Sequence, residues 1–203
     1  MECTCPLSVL TTIVAEACGI DITQIQKMAF QIQGDGFDTG AGVPTDILEL
    51  ADWQTKIAAG DATKIVVTPL IGADPTIEPG EATTTGGGDN STLNGVEKVT
   101  GVNPSNFSCA FNSLSSLVES QLKALRCHNN LVVYFFTQGG FIIAVEVSAG
   151  KHEGFGLQSM FVSDRGNAGF GTNDTVNMSF SLPSGWSDKL VKIKPNFNPL
   201  TDI

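Results

Sequence analysis

The chain has 203 residues, a formal net charge of -10, 41% apolar residues and only 16% charged ones. That length suits one domain, and that apolar content supplies a core, which excludes global disorder. With 21 acidic against 11 basic side chains and no run of Lys or Arg, a sequence-independent grip on nucleic acid is excluded, because it rests on cationic contacts to phosphates.

The first residues, MECTCPLSVLTTIVAEAC, lack the basic residues of a signal peptide, and Thr11 and Thr12 interrupt the apolar run. A short helix fits 6–17, weakened by the β-branched Thr11, Thr12, Ile13 and Val14. The segment as a whole, about 1–22, reads as an extended N-terminus. Five cysteines, Cys3, Cys5, Cys18, Cys109 and Cys127, form no CxxC pair, so they read as reduced thiols of a protein made in a reducing cytoplasm. Cys109 and Cys127 read as small buried hydrophobes.

Met28, Phe30 and Ile32 alternate with Ala29 and Gln31, which predicts a strand over 27–33. The GDG that follows, with Asp35 and Asp38, lacks the further ligands and closing Glu of a calcium loop and reads as a hairpin turn. A helix is predicted near 46–58, capped by Asp46 with Glu49, with Ile47, Leu50, Ala51, Ile57 and Ala58 on one face. KIVVTPLI, 64–71, is a strand.

The next stretch, 72–95, is GADPTIEPGEATTTGGGDNSTLNG. It holds six glycines, Pro75, Pro79, Asp74, Glu78, Glu81 and Asp89, no Lys or Arg, and only Ile77 and Leu93 as large apolar residues. A structureless loop this long is uncommon inside a compact domain. It is expected to be a long arm that finds its order on a partner.

Strands are expected over 96–101 and 105–111, the second with Phe107, Cys109 and Phe111 inward. A helix over 114–127 carries the stripe Leu114, Leu117, Val118, Leu122 and Leu125. Ser116 and Glu119 fit a capping box, and Lys123 and Arg126 complement the helix dipole. The runs 131–136 and 141–147 are apolar throughout and predict a central strand pair joined by a glycine-containing loop at 137–140. Further strands are expected over 155–162, over 174–182 and around Val191 and Ile193. In the second of these Val176, Met178, Phe180 and Leu182 alternate with polar residues. The tail, 195–203, has Pro195, Pro199 and no periodicity, so it reads as a peptide lying on a surface.

Eight or nine strands predict a mainly β domain, a sandwich or barrel, spanning 1–203. One amphipathic helix flanks it, with the arm at 72–95 and extended termini. No stretch approaches the roughly 18 apolar residues of a membrane-spanning helix, so no membrane insertion is expected.

No catalytic, cofactor-binding or metal-binding residue is assigned. His128 follows the main helix and His152 sits in a glycine-flanked turn, and neither joins a nucleophile motif. GGGDN at 86–90 lacks the Lys-Ser/Thr and the strand-to-helix step of a phosphate loop. Trp53 and Trp186 read as packing anchors, and the glycosylation-type NST at 90–92 has no sign of secretion beside it.

This order of elements, with TTTGGGDNSTLNGVEKVTG in the arm and its return, resembles the tail tube (major tail) proteins of tailed bacteriophages and the related tube proteins of injection systems. The resemblance implies a structural virion subunit, made in the host bacterial cytoplasm, that forms hexameric rings stacked into a conduit for DNA. It implies partners in its own copies and in sheath, baseplate or terminator proteins, with double-stranded DNA passing unbound. The arm residues Ile77, Glu78, Glu81 and Leu93 are expected between subunits, with Ile77 and Leu93 buried on a neighbour. Asp35, Asp38, Glu146, Glu153, Asp164 and Asp174 are candidates for an acidic bore that repels phosphates. The alternatives are another virion part (head decoration, connector, tail terminator or minor tail protein), a β-sandwich binding module such as a carbohydrate-binding adhesin, or a hydrolase with an unrecognised site.

Overall fold

The computed structural model describes residues 13, 20, 22, 24–40, 42–88 and 90–203, apart from the side chain of Asp74. The expected helix over 6–17, nearly all of 1–22, and Cys3, Cys5 and Cys18 lie outside the described residues. In chain order come β1 (Ile25–Ile32), β2 (Phe37–Asp38), α1 (Leu50–Ala58), β3 (Ile65–Val67), β4 (Ala73–Glu78) and β5 (Ala82–Thr85). Then follow β6 (Lys98–Val102), β7 (Ser105–Asn112), α2 (Ser116–Leu125), β8 (Leu131–Thr137), β9 (Ile142–Ser148) and β10 (Lys151–Glu153). The last are β11 (Phe155–Gly156), β12 (Gln158–Val162), β13 (Thr175–Leu182) and β14 (Leu190–Ile193).

The fold is mainly β, a sandwich of antiparallel sheets. The large sheet runs β2-β10-β9-β8-β1-β3, with β11 on β8 and β14 on β9, and the small sheet runs β12-β13-β7-β4. Among the described residues the strands β5 and β6 pair only with each other.

The first core lies between the two sheets. Met28 and Phe30 of β1 and Val133 and Phe135 of β8 meet Phe107, Cys109 and Phe111 of β7 and Val176, Met178, Phe180 and Leu182 of β13. Phe107 stacks on Phe180 with centroids 4.6 Å apart. These are the inward residues of the predicted alternation, and burial pushes the Cys109 thiol up to about 12.

A second core lies on the other face of the large sheet. Ala29, Val132, Tyr134, Phe136, Ile142 and Ala144 pack there with Phe37, Ile47, Trp53 and Ile65. Burial on both faces explains why the 131–136 run is apolar throughout, and every residue of β8 is buried. Trp53 anchors this layer. Its ring stacks on Phe37 at 4.5 Å and meets Tyr134 and Phe136 edge-on, and its Nε1 donates to the Ile47 carbonyl at 3.0 Å.

The tail does lie on a surface, and that surface is its own chain's. Phe197, Leu200 and Ile203 pack against the second core, and the Asn196 N–H donates to the Leu48 carbonyl at 3.0 Å. Lys27 Nζ donates to the carbonyls of Leu200 and Ile203. Removing 196–203 uncovers three apolar side chains' worth of packing and is expected to destabilise the fold by about 3 kcal/mol. A urea titration checks this, with a lowered midpoint as the outcome.

Several local expectations are corrected. The helix α1 starts at Leu50 with Glu49 at its N-cap and no side-chain cap. The Asp46 carboxylate instead accepts from the N–H groups of Leu48 and Gly40, closing the preceding turn. Ala51 and Ala58 face outward, while Trp53 and Lys56 face in, because Trp53 offers the larger apolar surface to the sheet. The helix α2 is capped by Ser115, whose Oγ accepts from the Val118 N–H at 3.3 Å, and not by Ser116. Leu117 is 66% exposed, and Cys127 is exposed just beyond the helix, where the chain has turned off the core. The 155–162 strand is broken: β11 pairs with β8 in one sheet and β12 with β13 in the other. Ser159, at φ 52°, sits at the register shift and leaves Phe161 exposed.

Candidate assembly arm and groove

The stretch expected to be a long arm, 72–95, holds two β-strands, β4 and β5. The strand β4 is an edge strand of the small sheet, in register with β7 through Thr76↔Ser108, Ile77↔Phe107 and Glu78↔Asn106. Pro75 falls at the register break between Ala73 and Thr76, where its missing N–H removes no ladder bond. Ile77 therefore packs, partly buried, against its own first core. Thr76 points outward and shares a 2.8 Å hydrogen bond with Ser108.

The true arm leaves the sheet at Pro79 and Gly80. A Cβ on Gly80 would collide with the Asn103 carbonyl, so only glycine lets the strands cross there. The Asn103 N–H donates to the Glu81 carbonyl at 2.9 Å, and the β5–β6 ladder follows from Ala82↔Val102 to Thr85↔Lys98. The tip closes on itself. The Gly87 N–H donates to the Gly95 carbonyl, and Thr92 Oγ1 donates to the Val96 carbonyl at 2.6 Å. A single 3-10 turn spans Leu93–Gly95. Gly86, Gly87 and Gly88 all have positive φ, which is why three glycines stand together.

Every residue of β5 and β6 is exposed. So are the apolar residues of the arm, with Leu93 at 82%, Val99 at 66% and Val96 and Val102 at 55%. Glu78 and Glu81 are exposed at the arm's base. A lone two-stranded hairpin is marginal in water, and among the described residues both outer edges of this one are unpaired.

At the arm's base lies a groove of about 760 Å³, walled by Ile22, Ile25, Pro75, Ile77, Pro79 and Trp186. Trp186 Nε1 donates to Ser105 Oγ at 3.2 Å, and the same oxygen accepts from the Gly80 N–H at 3.3 Å. One buried serine thus ties the groove wall to the root of the arm. The Trp186 ring also stands edge-on to Phe155 at 5.3 Å. Both tryptophans serve as packing anchors, as expected from sequence.

The six acidic candidates fall into two groups on different sheets. Asp35, Asp38, Glu146 and Glu153 lie around β2, β9 and β10 at the rim of the large sheet. Glu153 accepts from the Gly34 N–H, Glu146 accepts from the Gly150 N–H at 3.2 Å, and Asp38 lies 3.9 Å from Lys151. Asp164 and Asp174 flank β13 of the small sheet. Lys123 approaches Asp164 at 2.6 Å, and Arg165 approaches Asp174 at 3.7 Å. Glu119 joins both cations, at 2.8 Å from Lys123 and 3.1 Å from Arg165. Hydrogen bonds from Lys123 hold the carboxyls of Glu119 and Asp164 below their usual range.

Two buried basic side chains, Lys56 and His152, lie near the first group, and Lys56 was not singled out from the sequence. Lys56 Nζ donates to the Asp35 carbonyl at 2.7 Å and sits 4.9 Å over the Phe37 ring. Its position three residues after Trp53, on the same helical face, was the available signal. His152 is 8% exposed, and its Nδ1 has no hydrogen-bond partner among the described residues. It pairs across strands with Phe37 and Glu146. Burial lowers its pKa below 6.5, opposed by Glu146, Asp46 and Asp38. A base with a lowered folded pKa contributes its full stability above the unfolded value and loses it as pH falls below that value. Urea titrations at pH 8, 6.5 and 5 are therefore expected to show the parent losing stability relative to His152→Phe on acidification. A difference that stays constant with pH would contradict the burial argument.

His128 is exposed beyond α2, and among the described residues no group of three or more His, Cys, Asp or Glu is arranged to hold a metal ion. No helix of the described residues is long and apolar enough to cross a membrane. No family model matches the chain, and neither the curated proteins nor the solved structures contain a match to it.

Proposed function

We propose that the chain is a structural subunit of a bacteriophage tail tube, which forms hexameric rings that stack into a conduit for double-stranded DNA. The observation that carries this reading is the β5–β6 arm: an ordered hairpin with no buried side chain among its described residues, which exposes Leu93, Val96, Val99 and Val102. Such a hairpin gains stability on a partner surface. A projecting element that docks on a different patch of an identical chain makes a heterologous contact, which closes into rings or propagates by stacking.

Charge supports the same reading. A bore rich in carboxylates repels phosphates and lets DNA slide. Asp35, Asp38, Glu146 and Glu153 crowd one rim and are the favoured bore-facing set, whereas Asp164 and Asp174 face Lys123 and Arg165. The role is non-enzymatic, with sheath, baseplate or terminator proteins as further partners.

Negative-stain images of the purified chain test this. Hollow rods or six-fold rings are expected. Uniform single-copy particles, or a tube whose bore is neutral or basic, would contradict it.

A further inference from the structure

We infer that the β2–β10 edge of the large sheet is an acid-operated latch, in which protonation of the buried His152 side chain parts β2 from β10. Every residue involved belongs to one chain, so the inference stands apart from the assembly reading.

The edge is thinly held. The strand β2 has two residues, and two register pairs, Lys151↔Asp38 and His152↔Phe37, join it to β10. On its other side β10 meets β9 through a register shift between Lys151 and His152. Among the described residues three buried side-chain polar atoms lack a hydrogen-bond partner, and two of them, His152 Nδ1 and Thr39 Oγ1, lie at this edge. Thr39 follows β2 directly, and its carbonyl lies beside Gly150, just before β10. Buried polar groups without partners are rare and costly, so the closed edge is poorly satisfied even with the imidazole neutral.

A proton makes the closed edge worse. Both ring nitrogens of an imidazolium are donors, so Nδ1 becomes a buried N–H without an acceptor, and the new charge is cut off from water. The carboxylates that face the ring are already engaged. Glu146 of β9 accepts from the Gly150 N–H, Asp46 accepts from the Leu48 and Gly40 N–H groups, and Asp38 of β2 lies 3.9 Å from Lys151. Glu153 of β10 accepts from the Gly34 N–H, and Asp52 of α1 accepts from the Asp46 N–H at 2.7 Å. Lys56 of α1 and Lys151 of β10 line the same cavity of about 370 Å³ as His152, Asp35 and Asp38, and both oppose a third positive charge. Parting the edge gives the ring to water, where it takes up a proton at its ordinary pKa. The open edge thus binds the proton more tightly than the closed one, and falling pH drives opening. One proton is involved, so the opening equilibrium shifts by at most about tenfold per pH unit below 6.5.

Hydrogen exchange of the full chain, read by mass spectrometry between about pH 7.5 and 5 and corrected for the intrinsic rate, tests this. Peptides covering 36–40 and 148–153 are expected to lose protection by up to about tenfold per pH unit below 6.5, while 131–136 keeps its protection. His152→Gln removes the titration and is expected to flatten that dependence. Edge protection that is constant with pH in the parent, that changes as much in His152→Gln, or that falls equally at 131–136 overturns the inference. An NMR titration of the chain's two histidines needs no variant. His128, exposed beyond α2, is the internal reference, and His152 is expected to titrate below it. A His152 that titrates with His128 or above it overturns the inference.

Discussion

Trp53→Ala is expected to destabilise the chain by about 4 kcal/mol, the largest effect of any single truncation in this fold. Trp53 is fully buried, and four aromatic rings surround it: Phe37, Tyr134, Phe136 and Phe197. Truncation leaves a cavity that the surrounding sheet cannot collapse to fill, because β8 and β9 are held from both faces. It also orphans the Ile47 carbonyl, which accepts from the indole N–H. A folded domain is stable by only about 5–15 kcal/mol, so this loss is a large share of the whole. Phe197 of the tail loses its partner in the same event, so Trp53→Ala and removal of 196–203 are expected to be less than additive. Equilibrium urea unfolding, followed by Trp186 fluorescence, measures the effect. A loss below about 1 kcal/mol would mean that α1 is not packed on the large sheet as described.

Excising 82–102 and joining Glu81 to Asn103 through two glycines is expected to leave the fold intact and abolish assembly. The ends already meet, since the Asn103 N–H donates to the Glu81 carbonyl. None of the described residues in 82–102 is buried, so the monomer's stability is expected to change by no more than about 0.5 kcal/mol. The boundary matters. An excision that begins at 76 takes Thr76, Ile77 and Glu78 out of the small sheet and damages the first core, confusing loss of fold with loss of contact. Differential scanning calorimetry and sedimentation velocity separate the two. A folded, arm-less chain that still assembles would place the joint elsewhere.

The first core was legible in the sequence because it is built from strict alternation. Val176, Met178, Phe180 and Leu182 announce both a strand and its inward face, and Phe107, Cys109 and Phe111 announce its partner. The second core was much less legible. Its lid is a nine-residue helix and an aperiodic tail, and nothing local to Phe197 or Ile203 says that Trp53 is the surface they cover. The arm was visible as composition but not as structure. Glycine, threonine and two prolines mark a departure from the core, yet they conceal that Pro75 sits at a bulge inside a true strand. The packing of Ile77 against the first core is hidden in the same way, because a lone apolar residue between two prolines shows no alternation. The acids were visible as residue types, but their grouping depends on long-range approach. Glu119 and Arg165 are 46 residues apart in sequence, and no spacing rule joins them.

Self-association of the full chain is the central claim, and sedimentation equilibrium of the purified protein tests it most directly. A smallest stable assembly of about six times the 21.3 kDa of one chain is expected, with longer stacks at higher concentration. Raising the ionic strength is expected to favour these species, because salt screens the repulsion between acidic copies. A single 21.3 kDa species at every concentration and salt tested would contradict it.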